Sequence, residues 1–289
     1  MSSTTVESTA RSNESGDALA GARPGRLLPD TWVMTKRNLL RYVRLPQLLA
    51  FGLIQPVMFL LLFTYVFGGA ISSDLPAAAG GEYLNFLLPG LLVQISAFGA
   101  TQTAIGLTDD LSKGVIDRFR SLPMTRSAVL AGRTLADLIR SAMIMVLMVT
   151  VAFVIGFRYQ SSFAGLVAGT VIVLVFAYSL SWVMAVVGLK VVNPEATQTA
   201  VFLLVFPFVF ASAVFVPVET MPGWLQAFAQ HQPVTVTVEA ARGLMLGQGA
   251  LEPGQTVAGQ VGLALVWSAG IFVVAATLAV RVYRGATRA

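Results

Sequence analysis

The 289-residue chain has no cysteine and one histidine, His231. The first absence excludes disulfides and thiolate chemistry and leaves the redox compartment unreadable. The lone histidine falls in an expected outer loop without neighbouring ligands, so it reads as a solvated residue and not a metal site. Charge is scarce as well, at 11% against 56% hydrophobic residues. A soluble domain of this length does not have that balance. The three lysines are Lys36, Lys113 and Lys190, and none follows a glycine. The phosphate-cradling G-x-x-x-x-G-K-[ST] loop is therefore missing, and ATP cannot be bound through it. No other enzyme constellation is present.

What fills the chain instead is six long apolar runs, at residues 48–71, 84–107, 135–157, 163–189, 199–218 and 258–280. Each reaches the roughly 20 residues that an α-helix needs to cross a hydrocarbon core of about 30 Å. The bilayer core holds no water to satisfy an open backbone, so helices are expected. The fold class read from this pattern is an all-α polytopic membrane protein with six transmembrane helices. Of its nineteen Lys and Arg residues, only Arg158 and Arg242 fall in the gaps after spans three and five. The others precede span one, separate spans two and three, or follow spans four and six, with Arg140 just inside span three. Basic residues are retained on the cytoplasmic side during insertion, which places both termini inside. The formal charge of +5 is thus topogenic. No nucleic-acid partner is expected, because no aromatics cluster with the basic residues.

Residues 1–30 are rich in Ser, Thr, Gly and Ala and lack an apolar run, so they read as a disordered cytoplasmic tail and not as a signal peptide. Residues 31–289 form the expected membrane domain. At about 100° per residue, residues 31–45 set Arg37, Arg41 and Arg44 on one face and Trp32, Leu39, Tyr42 and Val43 on another. This is an amphipathic helix for the inner headgroup layer, with its cations towards anionic lipid or a partner, or else a simple topogenic anchor.

Span two carries Pro89, expected to kink it. It also carries a polar seam of Gln94, Ser96, Thr101, Gln102 and Thr103, either interhelical glue or the lining of a wet pathway. The inner loop after it is the most charged part of the folded region. Asp109 and Asp110 are expected at the start of a short helix, near the positive end of its dipole, which Pro123 would stop. Val115, Ile116, Phe119 and Leu122 make an apolar stripe flanked by Asp117, Arg118 and Arg120. Such a stripe suits docking of a soluble partner, or packing under the protein's own spans. Asp137 and Arg140 stand three apart and read as an ion pair at the inner membrane boundary. Gly165 and Gly169 in span four offer a possible close-packing face. Span five crowds Phe202, Phe206, Phe208, Phe210 and Phe215 around Pro207, the pattern of a kinked helix facing a cavity. The outer segment through Gly247, with Trp224 and the pair Glu239 and Arg242, reads as short helices re-entering the outer leaflet.

Several ordered motifs together carry a resemblance. They are Asp110-Leu-Ser-Lys-Gly-Val-Ile-Asp-Arg-Phe-Arg-Ser-Leu-Pro123, then Leu62-Phe-Thr-Tyr-Val-Phe-Gly-Gly-Ala70 and Tyr83-Leu-Asn-Phe-Leu-Leu-Pro-Gly90. Phe206 through Gly247 adds Met-Pro-Gly-Trp-Leu, Gln232-Pro233 and Ala241-Arg242-Gly243. Over about residues 30–285 the chain resembles type-2 ATP-binding-cassette exporter permeases, above all the daunorubicin/doxorubicin-resistance permease subunits. The resemblance implies a permease in the bacterial plasma membrane that pairs with a second copy or a related permease and with two copies of a separate ATPase subunit. ATP and magnesium would be bound by that ATPase, leaving this chain without a cofactor or enzyme activity of its own. It makes the helix bearing Arg37, Arg41 and Arg44 a connecting helix. It makes Asp117, Arg118, Phe119, Arg120, Leu122 and Pro123 the coupling element that meets the ATPase. Spans two and five flank the family's pathway, which favours pathway lining for Gln94 and Gln102 and lipophilic contact for Phe206 and Phe210. The re-entrant segment would be the external gate, and the cargo hydrophobic or amphipathic drugs or lipids.

Two other classes stay open. An ion-coupled secondary transporter usually needs carboxylates within its spans, and Asp137 at a boundary is the one the spans hold. A membrane scaffold anchoring a soluble enzyme would bind a partner and move no cargo.

Overall fold

Backbone placed in hydrocarbon must satisfy its own hydrogen bonds, and the described apolar runs do so as helices. The computed structural model describes residues 27–44, 46–71, 82–114, 126–191 and 193–286. In chain order the helices are α1 (Leu27–Arg44), α2 (Pro46–Leu62), α3 (Tyr83–Ser112), α4 (Arg126–Ile155), α5 (Phe163–Lys190), α6 (Pro194–Phe210), α7 (Gly223–Ala229), α8 (Pro233–Leu246) and α9 (Val257–Ala286). A π-helical turn, Phe63–Phe67, and a last α-turn, Gly68–Ile71, extend α2. No strand occurs among the described residues. Helices α3, α4, α5 and α9 each hold an apolar stretch long enough to cross a membrane, the shortest being Val257–Tyr283 with 27 residues. At 1.5 Å per residue that is roughly 40 Å. Ile54–Phe67 and Pro194–Phe210 are shorter apolar helices. The architecture is that of a polytopic all-α membrane protein.

Several element boundaries differ from those read in the sequence, each for a local reason. The fifth run was expected over 199–218, yet α6 is Pro194–Phe210. The Asn193 side chain accepts from the amides of Glu195 (2.8 Å) and Ala196 (3.4 Å), and Pro194 takes the first helical position. Asn193-Pro194 is therefore a helix start and not merely a turn. Beyond Phe210 the chain leaves the helix and runs as buried turns, with Val214 seated against Gly90 of α3. Asp109 and Asp110 do not open a helix. They lie in the last turn of α3, the unfavourable end of its dipole, and cations answer them there. Lys113 Nζ stands 2.7 Å from Asp109, while Arg37 and Arg133 stand 3.4 and 3.7 Å from Asp110. Gly114, at φ 65°, supplies the left-handed residue that follows.

Helix α1 is more than a headgroup-layer strip. Met34 and Thr35 are buried against α4, where the Thr35 hydroxyl donates to the Gly132 carbonyl (3.3 Å), while Trp32 and Val33 stay exposed. The core runs along α3, whose Phe86, Leu87, Leu88, Leu91 and Leu92 are fully buried. Helix α5 packs between α3 and α9, and α8 lies across it. Gly165 and Gly169 do form a close-packing face, and its partner is α8: Leu244 meets the first and Met245 the second. Between α6 and α9 stand the two short helices α7 and α8, with α8 buried over most of its length.

Close approach of α3 and α5 rests on Gly188, where an added Cβ would stand 2.7 Å from the Ala104 Cα. Gly188→Ala is expected to lower stability by about 1–3 kcal/mol through overpacking. Gly262→Ala on α9, with nothing within 4 Å of its added Cβ, serves as the control and is expected to be neutral. Thermal melting of the two purified variants checks the pair.

Candidate functional site

Three residues on one face of α4, at spacing i, i+4 and i+7, cross onto α3. Asp137 has a side chain 2% exposed and is held between Arg133 Nε (3.6 Å) and Arg140 Nε (3.9 Å). The Thr103 hydroxyl of α3 donates to the same carboxylate at 2.6 Å. The arginines also reach α3's backbone: Arg133 Nη2 donates to the Gln102 carbonyl (3.2 Å) and Arg140 Nη2 to the Gly99 carbonyl (2.9 Å). Glycines make room for both. A Cβ at Gly106 would overlap the Arg133 guanidinium, and one at Gly99 would stand 3.0 Å from Arg140 Nη2. Arg133 then bridges to Asp110, which Arg37 of α1 also contacts. The expected Asp137–Arg140 pair is thus one link in a charged seam from α1 through α3 to α4.

Beside the Arg140 end of this seam lies a cavity of about 490 Å³ between α2, α3, α4 and α6. Gln94, Gln102, Phe206 and Phe210, all singled out from the sequence, stand around it together. Gln55, Gln198 and Arg140 join them in its wall. Sequence reading missed Gln55 and Gln198, and took Arg140 only as the partner of Asp137, because each sits on a different helix from the seam of span two. Phenylalanines follow one another along the wall. Ring centroids are 6.2 Å apart for Phe98 and Phe202, 5.1 Å for Phe202 and Phe206, and 4.2 Å for the stacked pair Phe206 and Phe210. Phe215 continues the file at 5.2 Å and stacks on Phe63 of the π turn at 4.8 Å. Aromatic pairs at such distances favour flat apolar guests.

A second cavity, of about 300 Å³, opens at the other end of α3, among Phe86, Glu219, Glu239, Arg242 and Glu252. Arg242 is buried but does not spend its charge on a salt bridge to Glu239. It donates to the Ala213 carbonyl (2.8 Å) and the Phe86 carbonyl (3.3 Å), with its guanidinium 3.6 Å over the Phe86 ring. Burial pushes Glu239 up to about 7, with Arg242 opposing and Glu252 adding to the rise.

Of the other residues singled out, Arg37 takes part in the seam. Arg41 and Arg44 lie in the last turn of α1, their side chains outside the described residues. Asp117, Arg118, Phe119, Arg120, Leu122 and Pro123 lie wholly outside the described residues, between α3 and α4.

The profile of the ABC-2 type transporter family matches residues 29–246. The daunorubicin resistance ABC transporter permease protein DrrB1 of Streptomyces coeruleorubidus is 36% identical over 267 residues, covering 92% of this chain and 90% of the relative. The probable doxorubicin resistance ABC transporter permease protein DrrC of Mycobacterium tuberculosis is 28% identical, covering 89% of each. A putative transport permease, ycf38, of Pyropia yezoensis is 28% identical over 75% of this chain and 74% of its own length.

Removing one member of a buried charge group leaves the others uncompensated. Asp137→Ala is expected to cost about 3–5 kcal/mol and Thr103→Val about 1–2 kcal/mol, read as successive falls in melting temperature of the purified protein. At the second cavity the sign follows from Glu239. Its folded value, raised from 4.5 to about 7, means that the folded state holds more protons than the unfolded one across that window. Stability therefore falls as pH rises from about 4.5 to about 7 and is level above it. Glu239→Gln is expected to flatten that slope and raise the melting temperature at pH 8, and melts at pH 5 and pH 8 check it.

Proposed function

The chain belongs to the ABC-2 type transporter family, and from that premise we propose that it is the permease subunit of an ATP-driven exporter. It moves hydrophobic or amphipathic drugs or lipids out across the bacterial plasma membrane, its termini on the cytoplasmic side. A separate ATPase in two copies drives it and holds the ATP and magnesium, and a second permease, identical or related, completes the pathway. The observation that carries this reading is the cavity walled by amides and phenylalanines, with the charged seam beside it ending at the loop that joins α3 to α4. The drug-resistance permeases among its relatives support the same class of cargo.

The seam explains how force at that loop would reach the cavity. The loop continues α3 at one end and α4 at the other. Asp137, Arg133 and Arg140 bind those two helices together, and Arg37 adds α1. A push on the loop therefore shifts the three helices as one body. Gln102 and Arg140 belong both to this body and to the cavity wall, so the wall moves relative to α6 and its phenylalanines. Cargo enters from the inner leaflet or the cytoplasm, lies against Phe206 and Phe210, and leaves past α7 and α8, the outer gate. An ion-coupled secondary transporter would have to use Asp137. Two arginines and a threonine already engage that carboxylate, which weighs against a titrating or ion-binding role.

Phe119→Asp is expected to abolish co-purification of the ATPase and export of a lipophilic dye, with membrane insertion unchanged. The check is affinity capture of wild type and variant from the native host, followed by ATP hydrolysis and dye efflux. Normal capture and normal efflux in the variant would remove the coupling role from this loop. Uptake into proteoliposomes without any ATPase, driven by an ion gradient alone, would favour the secondary transporter.

A further inference from the structure

Gln94 is 4% exposed as a residue and stands in the wall of the larger cavity. An amide so placed opens on the cavity, where something else can give and take its hydrogen bonds. The rest of the wall says what that something is. Arg140 is the one ionisable residue around the cavity, and its charge already faces Asp137 at 3.9 Å while Nη2 donates to Gly99. No carboxylate among the described residues lines the space. A cationic guest would therefore lose its hydration and meet no counter-charge, and an anionic one would meet a cation already engaged. Gln55, Gln94, Gln102 and Gln198 each present both an acceptor and donors. That set matches a hydroxyl- or carbonyl-bearing head that both gives and takes hydrogen bonds without charge.

The other half of the cavity is the file of Phe98, Phe202, Phe206 and Phe210, two tilted ring pairs and one stacked, an aromatic surface for a flat apolar body. Building on the permease reading of this same cavity, we propose that it selects amphiphiles with an uncharged, hydroxyl- or carbonyl-bearing head and a flat aromatic body. Gln94 is the residue that holds the head.

Three probes of one body and different heads test this: pyrenebutyl glucoside, pyrenebutyl trimethylammonium and pyrenebutyrate. Binding to the purified permease in nanodiscs is read by fluorescence anisotropy above empty nanodiscs. The glucoside is expected to bind about tenfold or more tighter than either charged probe, the size of one or two well-made hydrogen bonds. Gln94→Leu is expected to erase that advantage and leave the ammonium probe unchanged. Gln94→Glu, which puts a carboxylate in the wall, is expected to turn the preference towards the ammonium. Melting temperatures show that each variant is folded. Should Gln94→Leu not fold, Gln198→Leu on the exposed part of the wall carries the same expectation at smaller size. Equal binding of the three heads, tighter binding of the ammonium by wild type, or folded Gln94 variants that bind like wild type would each overturn the proposal. Export with the partner ATPase is a separate readout. Selective binding without export would sink the exporter reading and leave the head preference standing, whereas export with equal binding of all heads would sink the head preference alone.

Discussion

A carboxylate buried between helices is tolerable only if it is surrounded by cations and donors, and Asp137 is so surrounded. Arg133 and Arg140 on its own helix and Thr103 on α3 close around it. Neither arginine would be stable in this position alone, since the desolvation of each is offset by the shared carboxylate and by α3's carbonyls. The consequence is mechanical as much as energetic. Between α3 and α4 a sliding motion would separate charges that have no water to fall back on. The two helices are held in register.

The polar residues of α3 divide sharply by how they are satisfied. Ser96 donates to the Leu92 carbonyl (2.7 Å), Thr101 to Phe98 (2.6 Å) and Thr103 to Asp137 (2.6 Å). Those groups are complete within the protein and serve packing. Gln94 and Gln102 instead turn their amides to the cavity. On a helix in lipid, where apolar contact with a neighbour gains little over apolar contact with acyl chains, close packing comes from small residues and hydrogen bonds. Gly90, Gly99, Gly106 and Gly188 supply the close approaches on these helices. Gln94, buried and outside that scheme, therefore stands out, and with the exposed Gln102 it marks one wall of the cavity.

The helical class and the long apolar runs were legible in the sequence, because hydropathy is a local property, whereas the grouping of Gln94, Gln102, Phe206 and Phe210 came from the family resemblance. The Asp137–Arg140 pair was legible locally as well, at three residues' spacing on one helix. What was not legible depended on partners from elsewhere in the chain. Arg133 read as one more topogenic charge, although its position four residues before Asp137, with Gly99 and Gly106 seven apart on α3, was a signal that could have been used. Asp109 and Asp110 were placed at a helix start because carboxylates favour that end of the dipole. The cations that hold them at a helix end come from α1 and α4, which no local rule supplies. Arg242 looked like half of an ion pair with Glu239, and its actual acceptors are carbonyls 29 and 156 residues away.

Those distant acceptors point to how α3 is built into the molecule. Arg242 reaches its backbone at Phe86, and Arg140 and Arg133 reach it at Gly99 and Gln102. The helix is thus gripped from neighbouring elements at both ends, across a stretch of roughly 24 Å at 1.5 Å per residue. Gln94 lies between the two grips, with its neighbours Leu91, Leu92 and Val93 fully buried. Arg140, which also lines the cavity that holds Gln94, grips one end, and Arg242, which lines the cavity that holds Glu239, grips the other. One helix therefore meets both cavities through its own backbone carbonyls.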